Sequence, residues 1–200
     1  MNIKVSAQEK YELINSGILL EQGAKLSDDG KYKEAIELYN KIPRSDTNYS
    51  VVLHELSYSS YLDSSFESSV NYAKEGMGLF PEKATDWYSL IANSLDAMEK
   101  RKEALTYYDS TLKLNPNNYL TWFNKGISFY NLERFEDAKA CFQKAILIYP
   151  YHPSSHFFLG AICASQGKVA EAMLSFTTSL LINPDNRYKG RAVSYLTNIA

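Results

Sequence analysis

The chain has 200 residues, 45% hydrophobic and 22% charged, which suits a folded chain and excludes intrinsic disorder, since disorder needs low hydrophobicity and high net charge. With 21 basic and 23 acidic side chains the net charge is −2, the wrong balance for a chain that lives on phosphate backbones. The longest strongly apolar run, residues 157–164, is far short of the roughly 20 that span a bilayer, and two cysteines make no disulfide framework, so a reducing cytoplasm is the expected compartment.

The N-terminus has no apolar h-region, so no signal peptide is expected. Ser6-Ala7-Gln8-Glu9 fits a capping box and predicts a helix from near Ala7, about 20 residues long. Residues 1–15 therefore read as a helical extension. A repeat then takes over. Pro81, Pro116, Pro150 and Pro184 are 35, 34 and 34 residues apart. Small residues keep step at Ala35, Ser69, Ala104, Ala138 and Ala172, and again at Gly23, Ser57, Ala92, Gly126 and Gly160. Large residues recur at Tyr39, Tyr108, Phe142 and Phe176, with Ala73 the exception. Five units result: 16–49, 50–83, 84–118, 119–152 and 153–186, with Ala84 a one-residue insertion. In the first, Pro43 should end the second helix early, near Ile42. In the second, Ala73, Gly76 and Gly78 predict a looser junction with the first.

Residues 119–152 show the logic of a unit. Trp122, Gly126 and Phe129 fall on one helical face, and Phe135, Ala138, Phe142 and Ala145 form a second stripe at the same period. A break over residues 131–134 separates them; the equivalent breaks carry Gly30 and Gly167, where glycine permits a left-handed residue. Pro150 should stop the second helix and start the next, and the asparagines around Pro116 and Pro184 supply caps. The small residues let two antiparallel helices approach, with Gly126 expected to face Ala138 and the rings to fill the space around them. After Pro184, residues 187–200 read as one more amphipathic helix on Ala192, Val193, Leu196 and Ile199, either a cap or the start of a further repeat.

A 34-residue helix–turn–helix unit with Trp122, Gly126, Phe129, Ala138, Phe142, Ala145 and Pro150 resembles a tetratricopeptide repeat. The resemblance covers residues 16–186 and implies an all-α, right-handed α-solenoid of stacked hairpins. In this family the first helix of each unit lines the concave side, and positions one residue after its core stripe, rotated by about 100°, face the groove. Here they read Leu20, Ala24 and Ser27; His54, Tyr58 and Tyr61; Ser89, Asn93 and Asp96; Phe123, Ile127 and Tyr130; Phe157, Ala161 and Ala164. The candidate partner-binding residues are His54, Tyr58, Tyr61, Asn93, Asp96, Phe123, Asn124, Ile127, Tyr130 and Phe157. An exposed trough with few charges and many rings marks a binding surface. The competing structural reading is that the chain's own terminal helix, or a second copy, fills it.

Family members that dock the acidic C-termini of chaperones use a Lys, Asn and Arg clamp. This sequence offers Asn93 and Asn124 but no Lys or Arg on the groove phase, which argues against that partner. The asparagine that some glycosyltransferases of the family repeat in every unit appears here only as Asn124.

Catalytic chemistry is hard to place. Gly30-Lys31 and Gly167-Lys168 lack the remaining residues of a phosphate loop. His152 and His156 are four apart, with Cys163 seven further on, but His152 precedes Pro153 in a loop, while His156 and Cys163 hold core positions of the repeat, so no metal or cofactor site is expected. Arg187, Lys189 and Arg191 are too few for a nucleic-acid footprint. The expected function is an interaction scaffold that is not an enzyme, holding a peptide or helix of a protein partner, with neither nucleic acid nor membrane as partner. Two alternatives are a docking module of a larger enzyme continuing past residue 200 and a self-assembling structural repeat, that is, a homo-oligomer.

Overall fold

Four of the prolines set where helices end. In the computed structural model, which describes residues 16–198, α4 (Phe66–Leu79), α6 (Arg101–Leu114), α8 (Phe135–Ile148) and α10 (Val169–Ile182) each stop two residues before Pro81, Pro116, Pro150 and Pro184. The residue before a proline is pushed out of the helical region, so the stop is local chemistry. The remaining helices are α1 (Ser16–Asp28), α2 (Tyr32–Tyr39), α3 (Tyr49–Leu62), α5 (Ala84–Ala97), α7 (Tyr119–Asn131), α9 (Pro153–Ser165) and α11 (Lys189–Thr197). No strand occurs among the described residues, and none of their helices is long and apolar enough to cross a membrane. The all-α class is the expected one. The helix start foreseen near Ala7 lies outside the described residues.

The first helix of each hairpin ends the same way. Gly30, Ser64, Glu99, Glu133 and Gly167 have φ of 76°, 62°, 61°, 58° and 70°. Glycine takes this left-handed conformation freely; a residue with a Cβ does so at a cost of roughly 1–2 kcal/mol. The break at Gly30 and Gly167 is therefore as foreseen, while the other three positions take the same turn without the residue that favours it. Pro150 departs from expectation. It follows the end of α8, and Pro153 instead occupies the first turn of α9, where its missing N–H removes nothing. Asn118 caps α7 by accepting from the Thr121 backbone N–H at 3.1 Å.

The helices fall into two compact units, residues 1–99 and 100–200, each with its own core. In the first unit, Ala35, Tyr39, Val52, Leu53, Leu56, Ala73, Trp87 and Ile91 are buried. α2 ends at Tyr39, ahead of Pro43 as the sequence requires. A cluster of hydroxyls ties α3, α4 and α5 together: Ser57 donates to the Ser69 carbonyl at 2.9 Å, and Ser94 donates to Ser69 Oγ at 2.8 Å. Trp87 of α5 packs on α4 at Gly76, where a Cβ would come within 2.7 Å of its ring, and its Nε1–H donates to the Phe80 carbonyl at 2.9 Å.

In the second unit the core runs through Phe123, Phe129, Ala138, Cys141, Phe142, Ala145, Phe157, Phe158, Ile162, Cys163, Ala172, Phe176 and Ala192. The small residue at Gly126 accommodates a ring of the second helix. A Cβ on Gly126 would meet the ring of Phe142 at 2.7 Å, and one on Gly160 would meet the ring of Phe176 at 3.0 Å. Glycine on the first helix thus makes room for an aromatic ring on the second, and ring against backbone is what closes each hairpin.

Candidate functional site

The groove positions divide between the two units and fare differently in each. In the first unit, α3 and α5 run side by side. The His54 ring stacks on Tyr58 with centroids 6.4 Å apart and planes at 24°, and it also touches Trp87 at 6.4 Å. Its Nδ1 lies 3.2 Å from Glu55 Oε1. Tyr58 stands 44% exposed, and Tyr61 is half-buried against Phe66 at 5.7 Å. Asn93 and Asp96, on α5, are half-buried. α3 thus presents one open ring and a stacked imidazole, and α5 carries the polar groups.

In the second unit two expectations are overturned. Phe123 is 6% exposed and Phe157 2%, so neither ring lines an open trough. His152, from the loop before α9, meets Phe123 edge-on at 4.6 Å, and Phe158 packs on it at 6.0 Å. Tyr188, just before α11, stacks flat on Phe157 at 4.4 Å and 8°, and the Arg191 guanidinium lies over the same ring at 5.2 Å. The chain's own return covers both rings, because an apolar face left by one hairpin is buried by whatever follows it. Tyr130 is held between Phe135 at 5.5 Å and Phe158 at 5.3 Å and remains half-buried. Asn124 and Ile127 are half-buried beside it.

The ionisable groups near these positions serve packing. Burial first, then the neighbouring charges of His156 and Arg187, hold the His152 imidazole below its ordinary pKa; its Nδ1 pairs with Ser155 Oγ at 2.7 Å. His156, expected in the core, is only half-buried. Its Nε2 contacts the Pro150 carbonyl at 2.8 Å, and since a carbonyl only accepts, that nitrogen carries the proton. Trp122 repeats the arrangement with the Pro116 carbonyl at 2.8 Å. Cys163 is buried as foreseen, its thiol donating to Glu171 Oε2 at 3.7 Å.

The most exposed apolar side chains of the second unit lie outside the groove positions read from the sequence. Leu147, Leu174 and Leu181 are 74%, 71% and 78% exposed, on α8 and α10. One signal for them was present: no charged residue stands between Glu171 and Asp185.

A tetratricopeptide repeat family model matches residues 119–152. Among curated proteins, the chain is 28% identical over 167 residues to the TPR repeat-containing protein MJ1428 of Methanocaldococcus jannaschii, covering 79% of this chain and 29% of that protein. It is 38% identical over 88 residues to a UDP-N-acetylglucosamine--peptide N-acetylglucosaminyltransferase of Giardia intestinalis, covering 42% and 6%. It therefore spans less than a third of the length of these relatives. Among solved structures, TTC0263, a thermophilic TPR protein of Thermus thermophilus, superposes with TM-score 0.74 at 17% identity, covering 91% of this chain and 99% of that one. MamA of Desulfovibrio magneticus RS-1 gives TM-score 0.72 at 16% identity over 87% and 98%. YrrB, described as a TPR protein with an unusual peptide-binding site, gives 0.65 at 18% over 88% and 90%. At these identities the structural likeness is one of fold.

Proposed function

Because the chain is a tetratricopeptide-repeat protein, we propose that it is a non-catalytic interaction scaffold whose first-helix faces hold an extended or helical segment of a protein partner. In this reading the repeats are residues 16–49, 50–83, 84–118, 119–152 and 153–186, closed by 187–200. The observation that carries it is Tyr58, which stands open on His54 of α3, the helix that packs beside the α5 of Asn93 and Asp96. An open tyrosine gives a partner a large, rigid contact, and neighbouring polar groups fix the partner's direction. Phe123 and Phe157 leave the contact set because they are buried. Tyr61 stays in it as a half-buried neighbour within the first unit, and Asn124, Ile127 and Tyr130 stay as half-buried positions on the second unit's own first-helix face.

A displayed library of random peptides tests the proposal. The full chain should enrich a consensus, and Tyr58→Ser combined with Asn93→Ala should abolish enrichment while far-UV circular dichroism is unchanged. Equal enrichment by that variant would refute the assignment.

A further inference from the structure

The face of α8 and α10 turned away from the hairpin interior is more apolar than the candidate groove. Leu147, Leu174, Leu181 and Tyr151 are 74%, 71%, 78% and 69% exposed, and Tyr149 is 40% exposed. Two adjoining hollows make these side chains one surface. Leu147, Leu174 and Thr178 line the first, with Leu159 of α9 in its floor. Tyr149, Tyr151, Leu181 and again Thr178 line the second. The exposed area is on the order of 600 Å², at the upper end of the largest patch found on a typical monomer. It is also most of the roughly 800 Å² that each partner contributes to a standard interface. One period earlier in the repeat, the position of Leu147 and Leu181 is Lys113, on α6; the apolar choice is particular to the last two hairpins.

We propose that this face joins the chain to a second copy of itself through an antiparallel pair of α10 helices. Leu174, Thr178 and Leu181 recur at i, i+4 and i+7, the seam a packed helix presents. A two-fold axis between Thr177 and Thr178 sets the two α10 helices head to tail and brings Leu174 of each onto Leu181 of the second copy. That reciprocity is what an isologous contact requires. The stretch without charge between Glu171 and Asp185 lets the helices meet along their centres without setting like charges against each other.

Sedimentation equilibrium on the full chain across a wide concentration range tests the pairing. The expected mass is twice the 22.7 kDa of one chain. Leu174→Glu, and separately Leu181→Lys, should each give the single-chain mass, since each sets a bare charge against a leucine of the second copy. Combining the two should restore the doubled mass, because every glutamate then faces a lysine. Tyr58→Ser should leave the doubled mass untouched, which separates this surface from the groove. A wild-type chain that stays at single-chain mass throughout overturns the proposal. So does a doubled mass in either single variant, or failure of the combination to recover it.

Discussion

Replacing Gly126 with alanine adds one methyl group where the second unit has no room for it. The new Cβ would lie 2.7, 2.9 and 3.1 Å from Cε1, Cδ1 and Cζ of Phe142. Ordinary carbon contacts lie at about 3.5–4.0 Å, so the ring must retreat by about 0.8 Å. Phe142 is fully buried. Its face lies on Phe158 with centroids 5.4 Å apart and planes at 18°, and Phe123 touches it at 5.8 Å. Retreat therefore displaces two further rings. Overpacking of this kind costs roughly 1–3 kcal/mol, while alanine in place of glycine inside a helix returns up to about 1 kcal/mol. The expected net loss is about 1–2 kcal/mol, or a fall of a few degrees in Tm for a chain of this size. Gly78→Ala supplies the control, because a Cβ there meets nothing within 4 Å; it should stabilise by about 0.5–1 kcal/mol. Urea denaturation followed by circular dichroism reads both. If Gly126→Ala matches or exceeds the wild type, the ring is freer than this packing allows and the glycine–ring closure is refuted.

Three further expectations rest on single residues. Glu133→Gly should raise stability by about 0.5–1 kcal/mol, since Glu133 holds φ at 58° and glycine adopts that conformation without a Cβ clash; an unchanged or lower urea midpoint would contradict it. The depressed pKa of His152 means that the unfolded chain takes up a proton more readily than the folded one. Its contribution to stability is therefore complete above its ordinary value of about 6.5 and is lost as pH falls from there through the lower folded value. His152→Gln should flatten the dependence of the urea midpoint on pH between about 7.5 and 5, and an identical dependence in both proteins would count against the assignment. Burial pushes the Cys141 thiol up to about 11, so iodoacetamide at pH 8 should spare it in the folded protein and label it in urea; mass spectrometry of the Cys141 peptide distinguishes the outcomes.

Much of the hairpin architecture was legible because its causes are local. A proline two residues past α4, α6, α8 and α10, a small residue where two helices cross and a stripe at helical spacing all act within one hairpin. What the sequence concealed depends on the next piece of chain. Phe123 and Phe157 sit one residue past the core stripe, the phase expected to face the groove; each instead meets a ring of its own hairpin, Phe142 and Phe176, and is covered by His152 and Tyr188. Trp122 and His156 show the opposite error. Both lie on the core stripe, yet each reaches back to a loop carbonyl and stays half-buried. Trp87 settles over Gly76, a fit between two helices that no single period encodes. Ser64, Glu99 and Glu133 adopt a glycine-like turn with no glycine to announce it. There the demands of closing the hairpin outweigh the preference of the residue.

The shared backbone of these five turns has a consequence for how such chains diversify. Since a hairpin closes through the same dihedral angle whether the position is glycine, serine or glutamate, the residue there is released from specifying shape. A change to or from glycine at residues 30, 64, 99, 133 or 167 then adjusts how firmly each hairpin is held without altering where its helices point. Rigidity becomes a quantity tunable hairpin by hairpin, and a chain can stiffen or loosen one part of its length while the surfaces it offers to other molecules stay as they are.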